Sequence, residues 1–141
     1  MKTKLNTLLS SNITKSKVDI ALLVFRICLA ISLFNTHGLK KVFHFSETLE
    51  HIPDPLGIGG TLSTYFAIFA NVVCPLFVML GLLTRIAILP IISITLLGFF
   101  IVHISDPWVV KDVPLMYSLS FLVLLYLGPG SHSLDYKFFK K

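Results

Sequence analysis

The chain has 141 residues, 55% of them hydrophobic and 13% charged, where a soluble domain carries about a quarter charged residues. The apolar residues come in long blocks with the charges between them, which excludes an ordinary soluble globule. The net charge of +5 does not argue for nucleic acid, because Lys2, Lys4, Lys15 and Lys17, then Lys137, Lys140 and Lys141, sit at the two ends beside apolar blocks, where basic residues fix orientation and touch anionic head groups.

In chain order, residues 1–17 form a polar, basic N-terminal segment. It is expected to be retained, because the apolar block that follows is too long for a signal peptide and lacks a small-x-small cleavage site. Four spans are predicted, at about residues 18–39, 62–83, 86–104 and 113–127. Each must be helical, since hydrocarbon offers no partner for a free backbone N–H or C=O. The first three reach roughly 28–33 Å, enough for a bilayer core of about 30 Å. The fourth is shorter, about 22 Å. Asp112 and Pro114 read as its cap and first-turn residues, and Gly128-Pro129-Gly130 as its stop. Thr84-Arg85 alone separates spans two and three, which must form an antiparallel hairpin. The Lys40 to Thr61 connection is longer and turn-rich from Asp54 to Gly60. Trp108, before the last span, suits a membrane interface.

With the N-terminus inside, the inner side collects Lys2, Lys4, Lys15, Lys17, Arg85, Lys137, Lys140 and Lys141, and the outer side Lys40, Lys41 and Lys111. That bias puts both termini in the cytoplasm. The fold class is therefore an all-α, integral membrane four-helix bundle over residues 18–136, with a basic tail at 137–141.

Ionisable residues inside spans are costly and are functional candidates by default. Arg26 and His37 are eleven residues apart, which returns to nearly the same helical face, and Lys40 and Lys41 continue it. Asn71 in the second span wants a hydrogen-bond partner, and Pro75 frees a carbonyl near it. Cys28 and Cys74 lie in apolar blocks without a C-x-x-C, and are expected to behave as small apolar residues. His37, His44, His51 and His103, with Asp54 and Asp106 near in sequence, gather toward the outer side. His44 and His51 read as part of an interfacial segment from Phe43 to Ile52, so no metal site is expected. His37 and His103 end outward-running helices at one level, where imidazole can bind a polar head group or move a proton.

Arg26, then His37-Gly38-Leu39-Lys40-Lys41, Asp54-Pro55-Leu56-Gly57-Ile58-Gly59, Gly81-Leu82-Leu83-Thr84-Arg85 and Gly128-Pro129-Gly130-Ser131-His132-Ser133-Leu134-Asp135 follow one another in an order and spacing that resembles the DoxX family of small four-helix membrane proteins. The resemblance runs from about Val18 to Tyr136. It implies a four-helix bundle in a bacterial inner (cytoplasmic) membrane, and an association with thiosulfate:quinone oxidoreductase activity or with thiol and oxidative stress. The chain departs from the family at Asn71, where relatives carry a glutamate after an alanine. An amide cannot carry the proton that a carboxyl can. Asp112 resembles the acidic position of relatives before the last span.

The expected function is thus a membrane subunit of a quinone-linked oxidoreductase system, with a quinone-like lipid as cofactor near the outer face. His37 and Lys41 are the candidate catalytic residues, donating hydrogen bonds and stabilising charge on oxygen. Arg26, His37, Lys41, Asp54, Asn71 and His103 are the candidate ligand-binding residues. Expected partners are membrane lipid, a protein of an oxidoreductase complex and a second copy of the chain, with no nucleic acid. Two other readings stand beside it: a non-enzymatic scaffold for a partner protein, and a small oligomeric transporter or channel lined by Arg26 and Asn71.

Overall fold

The computed structural model describes residues 13–139. Lys2, Lys4, Lys140 and Lys141, which carry part of the basic-ends reading, lie outside the described residues. The elements are α1 (Lys15–Phe43), a short α2 (Phe45–His51), α3 (Gly60–Leu80), α4 (Thr84–Val102), α5 (Trp108–Leu127) and a short terminal α6 (Leu134–Phe139). α1, α3, α4 and α5 are each long and apolar enough to cross a membrane. The fold is an all-α, integral membrane four-helix bundle, in which α1 packs on α3, α3 on α4, α4 on α5 and α5 back on α1. Leu33, Val78, Ile88, Ile91, Phe121 and Leu124 form the middle of its core. The large apolar side chains facing outward, among them Val24, Leu62, Leu89 and Val123, belong to a chain whose solvent is lipid.

The spans differ from the predicted ones at their ends. α1 runs on through Lys40 and Lys41 to Phe43. α5 starts at Trp108, with Pro107 before it in extended conformation, so Asp112 and Pro114 lie inside the helix rather than at its start. The span thereby gains the length that the predicted one lacked: 20 residues, about 30 Å. Pro107 is the earlier of two suitable starts, and packing on α4 carries the helix through Pro114, whose ring lies against Gly98. The α3–α4 turn is Gly81-Leu82-Leu83 rather than Thr84-Arg85. Gly81 is left-handed (φ 68°), and Leu82 N–H donates to Phe77 O while Gly81 N–H donates to Val78 O. This pair of bonds is the Schellman ending that glycine permits.

At that end of the bundle the tail is clamped to the helices. Arg26 Nη1 and Nη2 donate to the carbonyls of Pro129 and His132, each at 2.9 Å. Ser131 N–H donates to Asp19 Oδ1 at 3.0 Å. Asp135 accepts from Leu83 N–H (2.6 Å) and Thr84 N–H (2.8 Å), so a carboxylate caps the α4 N-terminus, where the helix dipole favours it. Leu83 holds a left-handed backbone, φ 48°, that a leucine adopts only when its surroundings impose it.

Each of α1, α3 and α4 contains one π-helical turn: Phe34–Gly38, Phe69–Val73 and Gly98–Val102. In α3 the cause is local. Pro75 has no N–H to give to the carbonyl of Asn71 four residues back, and Cys74 N–H reaches Phe69 O instead.

Candidate functional site

The three π turns converge on one cavity of about 440 Å³, at the bundle end opposite the tail clamp. Such turns collect at functional sites because they re-aim side chains without ending a helix. The first contributes His37, the second Asn71, and the third Gly98 and Val102. The wall is mostly apolar, with Leu33, Phe66, Ile94 and Val113 among its members, and the loop through Pro53, Pro55 and Ile58 lies over it.

His37 is half-buried and packs edge-on against Tyr117, with ring centroids 5.6 Å apart at 88°. The Tyr117 hydroxyl shares a 2.7 Å hydrogen bond with Ser32 Oγ, which fixes the surface on which the imidazole rests. One turn after His37, Lys41 also lines the cavity, its Nζ donating to His37 O at 2.8 Å. The neighbouring Lys40 is exposed. Asn71 is 4% exposed, and among the described residues its side chain has no hydrogen-bond partner. His103 Nδ1 donates to Asp106 Oδ2 at 2.7 Å, which leaves Nε2 as the ring nitrogen without that tie. Deeper in, Ser118 Oγ donates to Thr95 Oγ1 at 2.8 Å across the α4–α5 contact.

Four of the sequence-derived candidates, His37, Lys41, Asn71 and His103, therefore come together around one space. Asp54 sits in the covering loop with its carboxylate turned to the backbone. It accepts from Ile58 N–H (3.1 Å), Gly59 N–H (2.8 Å) and Ser63 Oγ (2.9 Å). The Gly59 bond does most to hold its pKa below the ordinary carboxylate value, with Ser63 next. Arg26 lies at the other end of the bundle, 1% exposed and bound to tail carbonyls. It and His37 are eleven residues apart, about 16 Å along the helix, so Arg26 does not reach the cavity. His44 and His51 are exposed on and beside α2, where Phe45 packs on Tyr65 at 5.9 Å. Asp112 is exposed on α5. Cys74 is buried and Cys28 exposed, and both are free.

Tyr117 is the member that sequence reasoning passed over. Its signal was a hydroxyl-bearing pair, Tyr117-Ser118, in an otherwise apolar span. Among the described residues, no three His, Cys, Asp or Glu side chains are grouped to hold a metal ion.

Comparison with known proteins agrees with this architecture. The DoxX family model matches residues 21–104. The chain is 30% identical to the Inner membrane protein YqjF of Escherichia coli strain K12, over 86% of this chain and 94% of that protein. It is 27% identical to an uncharacterized protein of Haemophilus influenzae, over 82% of each chain. No solved structure matches. The match to the family model over more than half the chain, with a relative aligned along nearly its whole length, makes this membrane protein a member of the DoxX family.

Proposed function

We propose that the protein is a membrane subunit of a quinone-linked oxidoreductase system in a bacterial inner membrane, and that its cavity takes a quinone-type ring on the outer side. The observation that carries this reading is the cavity of about 440 Å³, within the range of ligand pockets, whose apolar wall is interrupted by the donors His37, Lys41 and Asn71. The Escherichia coli relative, named an inner membrane protein, supports the location. The lysine and arginine bias supports cytoplasmic termini, which turns the cavity outward.

The residues fit such a group. Lys41, the His37 ring and the Asn71 amide are hydrogen-bond donors suited to ring oxygens, and in a partly dry site they stabilise charge on oxygen better than water does. Leu33, Phe66, Ile94 and Val113 keep water from the ring. A bound quinone supplies a reversible acceptor for two electrons and two protons. Asn71 can orient a ring oxygen but cannot carry a proton, so that role falls to imidazole. His103, tied through Nδ1 to the partly exposed Asp106, can hold a proton at Nε2 and exchange it with the aqueous side.

The test is purification in mild detergent, followed by lipid extraction and mass spectrometry. The expected result is a quinone at near-equal stoichiometry that is lost on His37→Ala. A bundle that carries no quinone, takes up none when it is added, and instead co-purifies with a stoichiometric protein would replace this reading with the scaffold.

A further inference from the structure

The cavity contains a cation without a counter-charge. Among the described residues Lys41 is in no ion pair. Its ammonium has three N–H groups, and one of them is used on His37 O. Lys40 is exposed and can meet head groups from there, whereas Lys41 is half-buried and turned to the cavity. An ammonium in that setting is costly unless something compensates it.

Among the described residues none provides that compensation. The cavity wall includes no aspartate or glutamate. Asp54, in the covering loop, gives its carboxylate to Ile58, Gly59 and Ser63, and Asp106 gives its own to His103. Two further donors line the same space. Asn71 is almost wholly buried with an unpartnered amide, and His37 is held edge-on by Tyr117. One charged and two neutral donors around an apolar wall match a single ionised oxygen on a ring-sized body, because charge-assisted hydrogen bonds are the stronger kind and anionic acceptors form them.

We infer that the site selects an oxyanion: a hydroxylated quinone in its ionised, enolate form rather than the neutral quinone, with Lys41 as counter-charge and Asn71 and His37 as flanking donors. The inference rests on the quinone reading above and names the ligand class of that same site. It assigns Lys41 to selectivity, a role distinct from simple anchoring at the membrane surface.

The test uses the full chain in mild detergent at neutral pH and two naphthoquinones. Phthiocol carries one hydroxyl and one methyl on its quinone ring, and its hydroxyl, a vinylogous carboxylic acid, is ionised at neutral pH. Dimethylnaphthoquinone carries a methyl at both positions. The two are nearly equal in size, and neither leaves an open position for thiol addition by the exposed Cys28. Phthiocol is expected to bind about tenfold or more tightly, Lys41→Met to bring the two within about twofold of each other, and Lys41→Arg to keep the preference. Equal or tighter binding of dimethylnaphthoquinone by the unaltered protein overturns the inference and leaves the quinone reading standing. So does a preference that Lys41→Met leaves intact. If neither compound binds, both fall. The comparison in the unaltered protein decides the matter even where Lys41→Met fails to fold.

Discussion

The space that a side chain at Gly38 would occupy is filled by the backbone carbonyl of Asn71. α1 and α3 therefore meet backbone to backbone at the level of their π turns. Pro75, four residues after Asn71, has no N–H to offer that carbonyl, and the missing side chain of Gly38 admits it to the helix contact. Small residues are what membrane helices use for such approaches.

Gly38→Ala is accordingly expected to destabilise the bundle by about 1–3 kcal/mol through overpacking, and to displace His37 with it. A thermal melt in detergent reads the loss. Gly98→Ala is the control: a Cβ there meets Pro114 Cβ at an ordinary 3.6 Å, and its melting temperature should match that of the unaltered protein. Equal stability of Gly38→Ala would mean that the two helices are free to part.

Arg26→Met should release the tail. The variant leaves the part-buried Pro129 and His132 carbonyls without their charged donor, a loss of about 1 kcal/mol each. Trypsin cleavage after Lys137 is expected to become faster in the variant under native conditions. Cleavage at the unaltered rate would show that Asp19 and Asp135 suffice to hold the segment.

Asp54 gives the covering loop a pH dependence whose sign is determined. Its folded-state pKa lies below its ordinary value because backbone N–H groups and Ser63 favour the carboxylate. The stabilisation is thus fully present above the unfolded value of about 3.9 and is lost as pH falls through the lower folded value. Amide-exchange protection at Ile58 and Gly59, corrected for intrinsic rates, should be flat from neutral pH down to about pH 4 and fall below it. Asp54→Asn should be unprotected throughout that range. Protection that fell already near neutrality would point to another group.

The two cysteines should differ in reactivity. A bilayer-dissolved diazirine photoprobe, whose carbene inserts into neutral S–H bonds, is expected to label Cys28, which faces the lipid from α1, and to spare the buried Cys74 until the bundle is denatured. Labelling of both at similar rates in the folded protein would contradict the packing of α3 against α1.

Number and type of spans were legible in the sequence because hydrocarbon leaves the chain no alternative. A long apolar block must satisfy its backbone within itself, and a helix does so by local bonds. The antiparallel α3–α4 pair followed from a connection too short for anything else. The stop at Gly128-Pro129-Gly130 likewise followed from residues that cannot continue a helix. The start of α5 did not, because Pro107 and Pro114 are both acceptable first-turn residues and packing on α4 chooses between them. The candidate site was legible in its chemistry and in the common outer level of His37, Lys41 and His103, but not in the joining of Asn71 to them. His37, Lys41, Asn71 and His103 stood out as polar residues in or beside apolar spans. Arg26 and Asp54 stood out equally, and nothing in their order showed that one would clamp the tail and the other cap a loop. Helical periodicity gives the angle of a residue around its axis and the rise gives its depth along it, but partner and register arise only when helices pack. Tertiary structure decided those, and with them the grouping of four separated polar residues around one space, although the π turn of α3 follows locally from Pro75.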